Sequence, residues 1–214
     1  VATNVFMASW APNGESLVYV RGDKKIVRQK AIPGAREEVV LESGRGKVPA
    51  GFELAQPSMG GINSTIAATM RGSLYGTGVF DKDGTFRQFG SGCQITWQGV
   101  DSANVIWMDH PGKQKNAIYT ADIRSGGPRV LLDMDSEYSH EYFPRTSPDG
   151  RWLVFGASTG GHEHDIADYE IFLWRIGTPQ SEVCRITSHT GNDCWPDVFV
   201  ASESPEGKGE DRAS

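Results

Sequence analysis

Short apolar runs separated by polar, glycine-bearing turns make up most of this chain. The clearest run covers residues 6–19 and reads as a strand, a turn and a second strand. In the turn, Pro12 presets φ, the Asn13 side chain can bond its own backbone, and Gly14 accepts a positive φ. Residues 142–155 repeat the pattern without gaps around a Pro-Asp-Gly turn. The chain therefore predicts an internal repeat whose unit opens with a β-hairpin.

Two weaker copies of the hairpin lie between these strong ones. One covers residues 93–107 with a longer turn, and the other covers 57–69, where Ser-Met-Gly-Gly-Ile-Asn replaces the turn. Each hairpin is followed by a third and a fourth candidate strand, which gives about four strands per unit. These later strands are predicted at 25–29 and 38–41, 78–80 and 85–89, 117–121 and 129–132, and 170–174 and 182–186.

Four-stranded units at this period are typical of the blades of a β-propeller. We therefore predict an all-β propeller of four to five blades, with membership of a larger propeller as the alternative. The predicted propeller spans residues 1–200, and 201–214 are predicted to form a flexible polar tail or linker. The units are placed at about 5–55, 56–90, 91–135 and 140–188, with a partial unit at 190–200.

The fourth unit carries a family resemblance. Its stretch Ser-Pro-Asp-Gly-Arg-Trp-Leu-Val-Phe at 147–155, with residues 169–174 and 184–187, resembles the PD40 repeat of TolB-like propellers. The resemblance covers most of residues 5–200. It implies a non-catalytic propeller that binds or scaffolds a protein or peptide in a larger complex. It also implies an exported or cell-envelope assembly, hence a periplasmic or extracellular location.

Composition excludes some partners. The chain has 214 residues, with 21 Lys and Arg against 27 Asp and Glu, and its formal net charge of −6 argues against nucleic acid or anionic lipid as a partner. No apolar run is long enough to span a bilayer. Three cysteines are too few and wrongly spaced for a zinc ribbon. We expect structural thiols, with a disulfide between Cys184 and Cys194 as the alternative that leaves Cys93 free.

The densest polar segment is the loop after the second strand of the fourth unit. Imidazoles and carboxylates are the ligands of divalent metals, and alternate residues of an extended chain share one face. The loop could therefore hold calcium or a transition metal, and the alternative is a solvated or partner-contacting loop. The candidate metal ligands are His162, His164, Asp165 and Asp168.

Polar residues at the starts of inner propeller strands are candidates for a ligand site at the channel mouth. Glu141 and Asp193 could form an acid and base pair of the kind that glycosidases use. The predicted channel-mouth residues are Asn4, His140, Glu141, Asn192 and Asp193. The tryptophans fall mostly within strand patterns and are predicted to fill the cores between blades rather than to stack on sugars.

An enzyme is the second functional hypothesis. It takes two forms, a glycoside hydrolase that uses channel-mouth carboxylates and a metal-assisted hydrolase that uses the 162–168 loop. A Gly-x-Ser-x-Gly pattern at Ser158 lacks the helix that a nucleophile elbow requires, so no catalytic residue is assigned. A third hypothesis is an accessory propeller beside a peptidase domain.

Overall fold

The computed structural model describes residues 5–60, 64–73, 75–113, 115–161, 163–188 and 190–200. Within these residues the chain forms four antiparallel four-stranded sheets, each made of strands that follow one another in sequence. Blade 1 contains β1 (Val5–Trp10), β2 (Ser16–Arg21), β3 (Lys25–Lys30) and β4 (Glu37–Glu42). Blade 2 contains β5 (Phe52–Met59), β6 (Ile66–Gly72), β7 (Gly76–Phe80) and β8 (Phe86–Gly90).

The other two sheets follow the same order. Blade 3 contains β9 (Cys93–Trp97), β10 (Asn104–Asp109), β11 (Ala117–Asp122) and β12 (Arg129–Leu132). Blade 4 contains β13 (His140–Thr146), β14 (Trp152–Ser158), β15 (Glu170–Arg175) and β16 (Cys184–Arg185). The last strand is shorter than predicted because a 3₁₀ turn, Gln180–Glu182, occupies the approach to it. No helix among the described residues is long and apolar enough to cross a membrane.

The predicted hairpin turns form as the sequence indicates. In blade 1 the Gly14 N–H donates to the Ala11 carbonyl at 2.9 Å, and Gly14 has a φ of 66°. The Asn13 side chain accepts from the Glu15 N–H at 3.1 Å. The Pro-Asp-Gly turn of blade 4 has the same bonds, since its aspartate accepts from the Arg151 N–H at 3.0 Å.

The cores lie between consecutive blades. One cluster joins Val18 and Leu41 of blade 1 to Phe52 of blade 2, and two further clusters join blade 2 to blade 3 and blade 3 to blade 4. Apolar burial between sheets therefore holds the blades together, at roughly 25 cal/mol per Å² removed from water. This packing, with the sheet order, confirms an all-β, propeller-type architecture.

Of the six tryptophans, five fall into a buried and an exposed group, and Trp152 is half-buried. Trp97, Trp107 and Trp174 are buried between blades as predicted, whereas Trp10 and Trp195 are 58% and 54% exposed. For those two the predicted core position is wrong. Trp10 lies on β1, one face of which packs against β5. Among the described residues no strand makes a comparable contact with the opposite face of β1.

Each inner strand contains the same backbone kink. One residue adopts a left-handed φ of 52–60°, and in the four complete blades the pairing with the second strand is irregular next to it. This is the geometry of a β-bulge, which bends and twists the strand. The kinked residues are Met7, Gln56, Gln94, Phe143 and Trp195. Because Trp195 has the same kink, the 190–200 segment begins like the inner strands of the complete blades.

Candidate functional site

A cavity of about 500 Å³ lies where the inner strands end, and all of them contribute to its wall. The residue two places after each kink lines the cavity. We call these five residues the channel positions, and the cavity the channel cavity. The channel positions are Ser9, Ser58, Thr96, Arg145 and Asp197. The repeat therefore places one side chain per unit at one end of the channel.

The hydroxyl groups at the channel positions bond to their neighbours. The Ser9 hydroxyl donates to the Pro57 carbonyl at 2.7 Å, and the Ser58 and Thr96 hydroxyls are 3.2 Å apart. These bonds cross from blade 1 to blade 2 and from blade 2 to blade 3. They fix the wall of the cavity and give it a polar surface.

Arg145 and Asp197 supply the charge of the cavity. Burial lowers the pKa of Arg145 from its ordinary value, and the nearby Asp197 carboxylate opposes that shift. The Asp197 carboxylate accepts from the Val198 N–H at 2.8 Å and is exposed. The cavity therefore presents a cation on one wall and an anion beside it.

The predicted channel-mouth residues that the structure describes lie at the opposite end, where the inner strands begin. Asn4 lies outside the described residues. His140, Asn192 and Asp193 are half-buried there. The Asn192 amide donates to the His164 carbonyl at 2.7 Å, and the Asp193 N–H donates to the Tyr169 carbonyl at 2.8 Å. These bonds attach the fifth inner segment to blade 4.

Glu141 does not line an open mouth. It is fully buried between blades 3 and 4, where one carboxyl oxygen accepts from the Met134 N–H at 2.7 Å. Burial raises the pKa of Glu141 to about 8; the Met134 N–H and Lys113 lower it, and Asp133 raises it further. The second carboxyl oxygen has no hydrogen-bond partner among the described residues. A carboxyl group in this position is mostly protonated at neutral pH and is enclosed by protein.

The described part of the predicted metal loop does not gather its ligands. His162 lies outside the described residues. The Asp168 carboxylate accepts from the Thr159 hydroxyl at 2.6 Å and from the Thr159 N–H at 3.2 Å, as a turn-capping residue does. Across the described ranges, no three His, Cys, Asp or Glu side chains come close enough to hold a metal ion. These described residues do not fit a metal centre.

The His164 ring instead packs among aromatic rings. Its centroid lies 4.9 Å from Tyr142, 5.0 Å from Phe143 and 5.9 Å from Trp195. Phe143 and Trp195 are the kinked residues of neighbouring units, and their centroids are 4.4 Å apart. The loop that carries His164 therefore packs against this end of the channel wall through aromatic contacts.

All three cysteines are free in the structure. Cys93 is buried, and burial raises the pKa of its thiol to about 11. Cys184 is exposed on the outermost strand and Cys194 lies at the inner wall next to His164's loop, so the alternative disulfide between them does not form. None of these thiols lines the channel cavity.

Arg145 was missed at the sequence level. A signal for it existed, because the gap-free alignment of residues 6–19 with 142–155 places Arg145 opposite Ser9. The alignment does not show that this position faces the channel, because the direction of the side chain is set by the backbone kink at Phe143.

Comparison with known proteins supports the fold. No protein-family model and no curated protein matches the chain. Among solved structures, it is similar to an oligogalacturonate lyase in complex with manganese, with 16% identity, a TM-score of 0.57, and coverage of 88% of this chain and 55% of the lyase. It is also similar to a gluconolactonase from Xanthomonas campestris, with 14% identity, a TM-score of 0.58, and coverage of 94% and 67%. A prolyl endopeptidase matches at 14% identity and a TM-score of 0.55, over 88% of this chain and 30% of that one.

These likenesses support a β-propeller fold, and the chain spans about half the length of the lyases that it matches. They also overturn one expectation. The non-catalytic scaffold predicted from the family resemblance is contradicted, because these similar structures are enzymes. The enzyme hypothesis, which was the alternative, takes its place.

Proposed function

We propose that this chain forms the channel of a propeller enzyme that acts on a sugar-derived substrate. The observation that carries the proposal is the channel cavity, to which the same position of five successive units contributes polar or charged side chains. The likeness to a lyase and to a lactonase supports it. A cavity of this size is within the range of small-ligand sites in enzymes.

Arg145 has the central role in the proposed chemistry. Elimination from a uronate and hydrolysis of a sugar lactone both build negative charge on a carbonyl-derived oxygen. A guanidinium that is already in place stabilises such charge, and the loss of one donor of this kind typically slows a reaction about 100- to 1,000-fold. Asp197, beside it on the wall, is the candidate proton acceptor or donor.

The number of blades in the intact ring belongs to the same proposal. The four complete blades and the kinked 190–200 segment support at least five units. The outer side of β1 has Phe6 and Trp10 more than half exposed, whereas the equivalent Ala55 and Met59 of blade 2 are buried, and Met59 belongs to the apolar cluster shared with blade 1. We therefore favour a ring in which another blade covers β1.

A substrate panel tests the proposed function. The purified chain is assayed with oligogalacturonate, gluconolactone and neutral oligosaccharides, by the absorbance of unsaturated uronates, by acid release and by reducing ends. We expect turnover of at least one substrate, and an Arg145→Gln variant that loses about 100-fold or more of it. Arg151→Gln, at an exposed arginine of the same hairpin, is the matched control and keeps full activity. A folded chain that turns over none of these substrates contradicts the proposal.

The same assay with a chelator addresses the metal prediction. The described residues of the 162–168 loop do not gather metal ligands, but a similar solved structure is a lyase in complex with manganese, so metal dependence is tested directly. Activity that survives chelation, in protein shown to be metal-free by elemental analysis, removes the metal-assisted form of the enzyme.

A further inference from the structure

Arg145 is the one basic side chain among the described residues that line the channel cavity. Its position in the repeat is occupied by Ser9, Ser58 and Thr96 in the other complete blades, so the cation is confined to one side of the cavity. Asp197 is the one acidic group on the described lining. The cavity is therefore asymmetric in charge, although its wall is built from equivalent positions.

The guanidinium has donors to spare. Arginine carries five N–H donors in a planar fork. Within the described residues its hydrogen bond is the one from Nη1 to the Pro144 carbonyl, at 3.4 Å and thus long. Arg145 is partly buried, so its charge has lost part of its hydration, and this burial lowers its pKa. A desolvated guanidinium with unused donors is suited to bind an anion.

The hydroxyl groups around it are already engaged. The Thr146 hydroxyl accepts from the Gly99 N–H at 2.9 Å and donates to the Trp97 carbonyl at 3.1 Å. The Ser9 proton is donated to the Pro57 carbonyl, and one of the Ser58 and Thr96 hydroxyls donates its proton to the other. A ligand thus finds most of its strong hydrogen-bond donors at Arg145, which favours an acceptor with two oxygens in one plane.

We propose that Arg145 binds the carboxylate of a uronic-acid residue through a paired hydrogen bond. This inference rests on the proposed function for the sugar and names its class, a carboxylate-bearing sugar rather than a neutral one. Two parallel hydrogen bonds from a guanidinium to a carboxylate are the strong, directional way in which arginine binds such a group. Asp197 limits the affinity, because its charge repels the incoming carboxylate.

Binding without turnover tests this assignment. Calorimetry compares galacturonate with galactose, which differs from it by a hydroxymethyl group in place of the carboxylate. We expect wild-type protein to bind galacturonate about 10-fold or more tightly, as a charged pair predicts, with an affinity that falls as salt rises. Arg145→Gln should remove the preference, and Arg145→Lys should keep part of it. Arg151→Gln should leave it unchanged.

A second variant allows the inference to be tested even if Arg145→Gln does not fold. Asp197→Asn replaces an exposed side chain and should raise the affinity for galacturonate several-fold with no change for galactose. Equal binding of the two sugars by wild-type protein, binding of neither, or an Asp197→Asn variant without effect overturns the inference. A clear preference for galacturonate together with no turnover of any sugar upholds it and rejects the enzyme proposal instead.

Discussion

The Oε1 atom of Gln56 accepts a hydrogen bond from the backbone N–H of Gln94 at 2.7 Å. Gln56 and Gln94 are the kinked residues of blades 2 and 3. The Gln56 N–H in turn donates to the sulfur of Met7, the kinked residue of blade 1, at 3.2 Å. The Met7 and Gln56 side chains thus each satisfy a backbone donor of the following blade, and these bonds link the inner strands of blades 1, 2 and 3.

Removal of this acceptor should destabilise the chain. Gln56→Leu leaves the Gln94 N–H, and the Thr69 hydroxyl that also donates to Gln56, without their acceptor. A loss of about 1–3 kcal/mol in the free energy of unfolding is expected. Gln56→Met should lose less, because Met7 accepts the same kind of bond through sulfur. Urea denaturation measures both, and equal losses in the two variants would argue against the role of the acceptor.

Glu141 should make stability depend on pH. Its pKa is about 8 in the folded protein against an ordinary value of 4.5, because it is buried with Asp133 nearby and with Lys113 offsetting only part of the shift. Below pH 4.5 the Glu141 carboxyl is protonated in both the folded and the unfolded state, and its contribution to the free energy of unfolding is fully present. As pH rises toward 8 the unfolded state ionises first, so stability falls by up to about 1.4 kcal/mol per pH unit.

Glu141→Gln tests this dependence. The variant should flatten the fall in unfolding free energy between about pH 5 and 8, measured by denaturation at several pH values. Glu137→Gln, at an exposed residue of the preceding loop, serves as the control and should retain the wild-type slope. An unchanged slope in Glu141→Gln would show that another group causes the dependence.

Trp10 and Trp97 occupy equivalent inner-strand positions, three residues after the kink, in different surroundings. Trp97 is 5% exposed and its indole N–H donates to the Ser58 carbonyl at 3.0 Å, whereas Trp10 is 58% exposed. Trp97→Phe should therefore cost about 1–3 kcal/mol, and Trp10→Phe should stay within about 0.5 kcal/mol. Thermal unfolding of the two variants provides the comparison, and similar losses would mean that Trp10 is covered in solution.

The cysteines should differ in reactivity. Cys184 is exposed, whereas Cys93 is buried and its pKa is raised to about 11, so little thiolate forms there at neutral pH. Alkylation followed by peptide mass spectrometry should modify Cys184 first, and Cys93 only after denaturation. A mass showing a Cys184–Cys194 disulfide in protein kept without added oxidant would contradict the free thiols of the structure.

The sequence predicted the fold where local chemistry decides it. The Pro-Asn-Gly and Pro-Asp-Gly turns fix hairpins through bonds among neighbouring residues, so residues 6–19 and 142–155 were aligned correctly. Blade 2 was harder, since β5 begins at Phe52, earlier than the unit placed at about 56. Its turn lacks proline, and its strand is specified by packing against blade 1.

The candidate site was less predictable. Glu141 alternates with Tyr142 along β13, and the sequence does not show whether the channel or the next blade receives its side chain. Arg145 has an ordinary sequence context, and the kink at Phe143 directs it to the cavity. The kink depends on pairing between strands, because phenylalanine has no intrinsic preference for positive φ.

Residues as different as methionine, glutamine, phenylalanine and tryptophan occupy the kinked position of the five units. The surrounding strand pairs impose the conformation, so the residue there is free to change its type without loss of the architecture. Each unit therefore presents the same backbone geometry to the channel, whatever side chain it carries at the kink. Such a chain can change the groups that face the channel, one side chain per unit, without a change in its backbone.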